Sequence, residues 1–155
     1  MEQATFGAGC FWGVQEAFDN LDGVKETTVG YMGGTIPNPT YEQVCSHTTG
    51  HAEVVNIKYD PDVIRYEDLL KIFFEIHDPT QKNRQGSDIG SQYRSVIFYH
   101  NEDQRTIAQK MIYELEVSSR NKKQSVTELI KASLFYRAEE YHQYYFKKNK
   151  SSACK

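Results

Sequence analysis

Residues 3–31, QATFGAGCFWGVQEAFDNLDGVKETTVGY, carry the pattern that decides the fold. A short mixed stretch, Gln3 to Ala8, ends in glycines and predicts a first strand. Asp22-Gly23 supplies a turn, and the β-branched residues from Val24 to Tyr31 predict a second strand. Between these strands, apolar residues recur at helical spacing, at Phe11, Val14, Phe18 and Leu21. The stretch therefore predicts a strand, a helix and a second strand in direct succession.

The remaining sequence repeats this alternation. The patterns predict a strand over 53–59, a helix over 66–77, a long polar loop to about residue 93, a strand over 94–99, a helix over 102–117 and one further strand over 126–130. The core order is then strand, helix, strand, strand, helix, strand, which is a split βαβ arrangement. We expect an α+β two-layer sandwich with a ferredoxin-like βαββαβ core, helices on one face of a mainly antiparallel sheet, and a C-terminal helical or coil extension.

Length and composition restrict the function classes. The 155 residues suit one catalytic domain, 1–155, whose polar end, 147–155, we expect to be a mobile tail. The apolar runs are too short to cross a bilayer, and the first residues do not resemble an export signal, so we expect a cytoplasmic protein that does not use a membrane. A net charge of -3 argues against nucleic acid as a partner.

The most reactive position predicted from the sequence is Cys10, between the first strand and the first helix. Backbone N–H groups at a helix start favour a thiolate, and glycines at positions 7, 9 and 13 permit close approach of a ligand. Phe11 and Trp12 offer an aromatic wall for a small apolar group. In the alternative reading Cys10 is a small core residue and these aromatics are packing. A dinucleotide-binding turn is excluded because its glycine spacing differs and bulky rings occupy the phosphate position.

Seven strings then carry a resemblance to a known family. They are GCFWG at 9–13, GYMGG at 30–34, NPTYEQVC at 38–45, TGHAEVV at 49–55, HDPT at 77–80, NRQGSDIGSQYRS at 83–95 and AEEYHQ at 138–143. Together, in this order, the chain resembles the A-type peptide methionine sulfoxide reductases from about Phe6 to Lys148. The family reverses methionine oxidation, with one enzyme type for each sulfoxide epimer.

The resemblance implies that Cys10 attacks the sulfoxide sulfur and becomes a sulfenic acid as methionine leaves. Glu53, Tyr41 and Tyr93 occupy the family positions that supply a proton and hydrogen bonds to the sulfoxide oxygen. Burial would keep the Glu53 carboxyl protonated near neutral pH. Phe11 and Trp12 would hold the substrate methyl group, and Asp88 would help to position the peptide.

The same family reading predicts how the sulfenic acid is resolved. Cys154, in the small polar tail, is the expected resolving thiol, and Cys45 or an external thiol is the alternative. Thioredoxin, or dithiothreitol in vitro, would then reduce the disulfide. The substrates would be free methionine sulfoxide and peptides or proteins that contain it, with the S epimer preferred; we expect a monomer without a bound cofactor.

Other functions remain open at this point. Cys45, His47 and His51 have side chains that zinc prefers, but no further ligand pair of recognisable spacing accompanies them, so we expect no metal. His51 is interpreted as a supporting residue. A peroxidase or hydrolase would pair Cys10 with His51, and a non-enzymatic peptide-binding or redox-sensing domain would use the aromatic pocket without turnover.

Overall fold

The computed structural model describes residues 1–118 and 124–149. Its secondary structure follows the predicted order, with additional short elements. The strands are β1 (Glu2–Ala8), β2 (Val24–Met32), β3 (Ala52–Tyr59), β4 (Arg84–Gln85), β5 (Asp88–Ile89), β6 (Ser95–Tyr99), β7 (Glu128–Lys131) and β8 (Tyr136–Arg137). The helices are α1 (Phe11–Asp19), α2 (Tyr41–Cys45), α3 (Tyr66–Glu75), α4 (Glu102–Ser118) and α5 (Tyr145–Lys148), with single 3-10 turns at Ser91–Tyr93 and Glu140–His142.

The main sheet has the strand order β7-β6-β1-β3-β2-β8. Its four central strands, β6-β1-β3-β2, pair antiparallel, while the added β7 lies parallel to β6. With α1 connecting β1 to β2 and α3 between β3 and β6, this is the predicted βαββαβ core. The predicted α+β class is confirmed.

The larger hydrophobic core lies where α1 and α3 pack on the sheet. Phe6 on β1 is fully buried there, with its ring 5.6 Å from Phe18 of α1 and 5.1 Å from Phe73 of α3. Because consecutive strand residues face opposite sides, Val55 joins this core while Val54 joins a second buried cluster. The third strand, whose sequence alternates, therefore belongs to a sheet that is buried on both faces.

The C-terminal extension covers the second face. It starts at one edge of the sheet as β7, packs Ala132 and Phe135 against the second cluster, and reaches the other edge as β8 beside β2. The extension was predicted as helix or coil with at most one strand, over 126–130, and it contributes an edge strand to each side. This path delivers the residues after β8 to the N-terminal end of α1.

Three local predictions differ in detail from the structure. The helix predicted to include His77 ends at Glu75, and the His77 ring lies 2.6 Å from the Phe73 carbonyl. The predicted polar loop contains the small β4–β5 hairpin. In the predicted tail, Lys147 and Lys148 complete α5, and Lys147 pairs with Asp19 at 2.8 Å; residues 150–155 lie outside the described part of the chain. Among the described residues, no helix has the length and apolar character to cross a bilayer.

Candidate active site

Cys10 stands at the junction of β1 and α1. It is the N-cap residue of α1 with extended backbone angles, φ -58° and ψ 123°, and its side chain makes no capping bond. Gly9 before it has φ +95°, a conformation that residues with a Cβ rarely adopt, so the sharp turn into the helix depends on glycine. Cys10 is half-buried and disulfide-bonded in this structure. The thiol position is thus fixed by a strand end, a glycine turn and a helix start, as predicted.

The aromatic wall beside Cys10 is built by α1 together with the C-terminal extension. Phe11 is buried, and Trp12 stacks on Tyr145 with ring centroids 3.7 Å apart and planes within 5°. The Trp12 indole N–H donates to Nδ1 of His142 at 2.9 Å, and the His142 ring also lies 5.1 Å from that of Phe11. The indole is therefore held in a fixed orientation, as a wall for an apolar group requires.

His142 and Tyr145 are site residues that the sequence reasoning did not single out. Both lie well over a hundred positions from Trp12, so no local spacing connects them to it. The string AEEYHQ at 138–143 was part of the family resemblance, and its histidine was the available signal. The string alone does not show that these side chains contact Trp12, because the contact depends on where the C-terminal extension runs in the fold.

Glu53 lies on β3 directly behind the start of α1. Its side chain is 1% exposed, and one carboxyl oxygen accepts the backbone N–H of Phe11 at 3.2 Å. The other oxygen has no hydrogen-bond partner among the described residues. Burial raises the pKa of Glu53 to about 8, Asp88 adds to the rise, and the Phe11 N–H opposes it. Glu53 is therefore mainly a neutral carboxylic acid at neutral pH, which can donate a proton.

Two tyrosines complete the polar side of the site. Tyr41 is the first residue of α2 and Tyr93 ends the 3-10 turn before β6; the two side chains are hydrogen-bond partners. Burial raises the pKa of Tyr93 to about 12, with nearby Glu53 adding to the shift, and it raises the pKa of Tyr41 further. Both side chains remain neutral phenols at physiological pH, so each can donate a hydrogen bond.

Asp88 and Cys10 line the same open cleft, which has a volume of about 410 Å³. Asp88 belongs to the β4–β5 hairpin, and desolvation raises the pKa of its carboxyl. It also acts electrostatically on Glu53 and Tyr93. The cleft combines the Cys10 sulfur, the Asp88 carboxyl and residues of the β4–β5 hairpin, an arrangement that suits a peptide segment. The structure thus brings Cys10, Phe11, Trp12, Tyr41, Glu53, Asp88 and Tyr93 into one region.

Of the two other cysteines, the structure describes Cys45 and does not describe Cys154. Cys45 is a free thiol, half-buried, and hydrogen-bonded to Tyr41. Burial raises the pKa of Cys45, with the Tyr41 bond opposing the rise, so its thiol stays protonated and unreactive at neutral pH. Cys154, the expected resolving thiol, lies outside the described residues.

The geometry argues against a metal site at Cys45, His47 and His51. His47 interacts through Nδ1 with Gln92 at 2.7 Å, and in the part of the chain that the structure describes no group of three or more His, Cys, Asp or Glu side chains could hold a metal ion. His51 accepts the Gly34 N–H at Nδ1, 3.0 Å away, and its Nε2 lies 2.7 Å from the Ile36 carbonyl. Because backbone groups occupy both ring nitrogens, His51 has no nitrogen left to act as the base of a hydrolase.

The fold and this candidate site, in which a neutral carboxylic acid bonds the residue next to a cysteine at a helix start, are those of a thiol-based oxidoreductase. A family model described as "Peptide methionine sulfoxide reductase" matches residues 2–155. The chain belongs to this family, and the predicted resemblance is confirmed. It is an enzyme for the thiol-dependent reduction of methionine sulfoxide.

Individual relatives cover nearly the whole chain. The peptide methionine sulfoxide reductase MsrA of Methanothermobacter thermautotrophicus is 58% identical over 153 residues, which are 99% of this chain and 90% of the relative. That of Acidobacterium capsulatum is 54% identical over 154 residues, 99% of each chain.

Solved structures give the same result. Reduced Mxr1 from Saccharomyces cerevisiae is similar with a TM-score of 0.90 and 37% identity, over 99% of this chain and 88% of that one. Mxr1 in complex with Trx2 is similar with a TM-score of 0.64 and 29% identity, over 90% of this chain and 81% of that one.

Proposed function

We propose that the chain reduces the S epimer of methionine sulfoxide, free or within peptides and proteins, through the thiolate of Cys10. Cys10 sulfur attacks the sulfoxide sulfur, the S–O bond breaks, and the oxygen passes to Cys10 with one proton. The products are methionine and a Cys10 sulfenic acid, so the thioether sulfur is reduced by two electrons and the cysteine sulfur is oxidised by two. The observation that carries this proposal is the buried carboxyl of Glu53, which accepts the N–H of Phe11, the residue next to Cys10.

Each neighbouring group has a place in this reaction. As charge develops on the sulfoxide oxygen, Glu53 supplies the proton, and the hydroxyls of Tyr41 and Tyr93 donate hydrogen bonds. Phe11 and Trp12 contact the methyl group, and Asp88 positions the peptide in the cleft. A neutral Glu53 also avoids the repulsion that a carboxylate would exert on the Cys10 thiolate. No bound cofactor is required.

The proposal is tested with a racemic methionine sulfoxide peptide and dithiothreitol, followed by chiral analysis of the remaining sulfoxide. About half of the substrate should persist, because one enzyme type serves one epimer. Complete consumption would contradict the epimer preference. Binding without turnover would indicate a peptide-binding domain, and rapid consumption of hydrogen peroxide with an untouched sulfoxide would indicate a peroxidase.

We also propose that Cys154 resolves the sulfenic acid. Its thiol condenses with the Cys10 sulfenic acid, forming a disulfide and releasing water, and thioredoxin reduces that disulfide by thiol–disulfide exchange. The thioredoxin complex of the related Mxr1 supports such a partner. The free thiol of Cys45, bonded to Tyr41 and with a raised pKa, is a poor alternative.

Replacing Cys154 with serine should leave a single turnover per active site and stall the thioredoxin-coupled cycle. The measurement is a rapid-quench assay of methionine formed per enzyme, followed by steady-state turnover with thioredoxin. Cys45→Ser is the matched control and should cycle normally. Unimpaired steady-state turnover of Cys154→Ser would assign resolution to Cys45 or to an external thiol.

We further propose that 1–155 acts as one catalytic domain and as a monomer, with the residues from 147 onward as the tail that carries the resolving thiol. A cytoplasmic location suits this cycle, because a reducing compartment keeps thiols and thioredoxin reduced.

A further inference from the structure

Glu139 connects the C-terminal extension to two tyrosines of the site. It immediately precedes the 3-10 turn Glu140–His142. One carboxyl oxygen accepts the hydroxyl of Tyr31 at 2.9 Å, and the other accepts the backbone N–H of Tyr41 at 2.8 Å. Both oxygens are thus engaged at once, one with a residue of β2 and the other with the first residue of α2.

The carboxyl of Glu139 is a charged acceptor at neutral pH. Burial opposes its ionisation, but the N–H groups of Tyr41 and of Glu139 itself, together with the Tyr31 hydroxyl, outweigh that effect and lower its pKa. Hydrogen bonds to an ionised acceptor are shorter and stronger than neutral ones. Glu139 therefore fixes the two groups that donate to it more firmly than a neutral acceptor would.

Helix α2 is short and packs through few side chains. It has five residues, of which Val44 alone is buried, and the half-buried Tyr41 ring lies 4.4 Å from that of His142. Thr40 caps the N–H of Gln43, and the N–H of Tyr41, in the first turn, has no partner within the helix. Tyr31, by contrast, is fully buried on β2 with its ring 5.8 Å from Phe11, and is a rigid reference point.

We propose that Glu139 is a positioning residue that holds the Tyr41 hydroxyl on the sulfoxide oxygen by anchoring the start of α2 to Tyr31. This inference rests on the proposed function, in which Tyr41 donates to that oxygen. Glu139 touches no reacting atom and acts through Tyr41. Losing the anchor should lower the rate of the chemical step and change the Michaelis constant little, because the methyl and peptide contacts lie elsewhere.

The test is a double-mutant cycle with Glu139→Ala, Tyr41→Phe and the combined variant. The single-turnover rate of methionine formation is measured for each over a range of substrate concentrations. Glu139→Ala should lower the saturated rate on the order of tenfold in the parent enzyme. In the Tyr41→Phe background the same change should have almost no effect, because the hydroxyl that Glu139 positions is already absent.

Two further variants control for structure. Glu139→Gln keeps a carbonyl oxygen that can accept the Tyr41 N–H, and its amide N–H can donate to the Tyr31 hydroxyl oxygen. Its rate should therefore lie within about threefold of the parent rate. It also preserves the test if Glu139→Ala does not fold. Glu140→Gln removes the neighbouring exposed carboxylate, which pairs with Arg137 at 2.7 Å, and should leave the rate unchanged.

Each outcome has one reading. Equal losses from Glu139→Ala with and without the Tyr41 hydroxyl, or an unchanged rate in the parent background, would overturn the positioning role while leaving the proposed function intact. A fully active Tyr41→Phe variant would instead remove Tyr41 from the proposed mechanism, and the Glu139 inference with it. If the alanine variant does not fold, an equal loss from Glu139→Gln with and without the Tyr41 hydroxyl would also overturn the role.

Discussion

A Cys10→Ser variant is expected to lose methionine sulfoxide reduction by at least about a thousandfold. A serine hydroxyl is not ionised at neutral pH, and its oxygen cannot take up the sulfoxide oxygen as a thiolate sulfur does when it becomes a sulfenic acid. The substitution removes the nucleophile and leaves the rest of the pocket in place. Phe11, Trp12 and the Glu53 bond to the Phe11 N–H do not depend on the sulfur atom. The variant should therefore still bind a methionine sulfoxide peptide.

Two measurements separate lost chemistry from lost structure. Turnover is assayed with dithiothreitol, which avoids any dependence on Cys154 or thioredoxin, and peptide binding is measured by calorimetry. A sulfenic-acid probe, added in the absence of dithiothreitol, should label Cys154→Ser after one turnover, because that variant lacks the proposed resolving thiol, and should not label Cys10→Ser. Cys45→Ser is the matched thiol control, since serine can keep a hydrogen bond to Tyr41, and it should retain activity. Undiminished reduction by Cys10→Ser would remove Cys10 from the mechanism.

The core of the fold could be predicted because its signals are local. The stretch 3–31 contains three such signals, each within one element, and they correspond to β1, α1 and β2; the alternation over 53–59 corresponds to β3. The short elements were missed for a physical reason. Helix α2 has one buried residue and so no apolar stripe to read, and β8, with two residues, exists only through its pairing with β2.

The candidate site residues likewise fall into those that local sequence predicts and those that it does not. Cys10, Phe11 and Trp12 could be proposed from the residues themselves because a helix start, glycines and aromatics are contiguous in sequence. Glu53, Tyr41, Tyr93 and Asp88 came only from the family resemblance, since a lone carboxyl or phenol in a chain carries no local signal of burial. The partnership of Trp12 with His142, 130 positions away, depends on the extension crossing the sheet. Sequence periodicity does not encode such a path.

The Glu53→Gln variant is expected to lower the single-turnover rate by about 10²–10⁴-fold, the usual contribution of a positioned general acid. Glutamine preserves the size of the side chain and can still accept the Phe11 N–H, but it has no acidic proton to give to the sulfoxide oxygen. The loss should therefore appear in the rate of the chemical step, with little change in peptide affinity. Glu26→Gln, which removes an exposed carboxylate on the neighbouring strand, is the matched control and should react normally.

The pH profile identifies the role of Glu53 more directly than the rate alone. Because burial raises the pKa of Glu53 to about 8, the acid is protonated below that pH and is lost as the pH rises through it. The parent rate should fall on the alkaline side with a midpoint near that value, even though the Cys10 thiolate becomes more abundant there. In Glu53→Gln that alkaline fall should disappear while the acid limb from the thiol remains. An unchanged alkaline limb in the variant would assign the proton to another group that titrates near pH 8, and this would exclude the Tyr93 phenol, because burial raises its pKa to about 12.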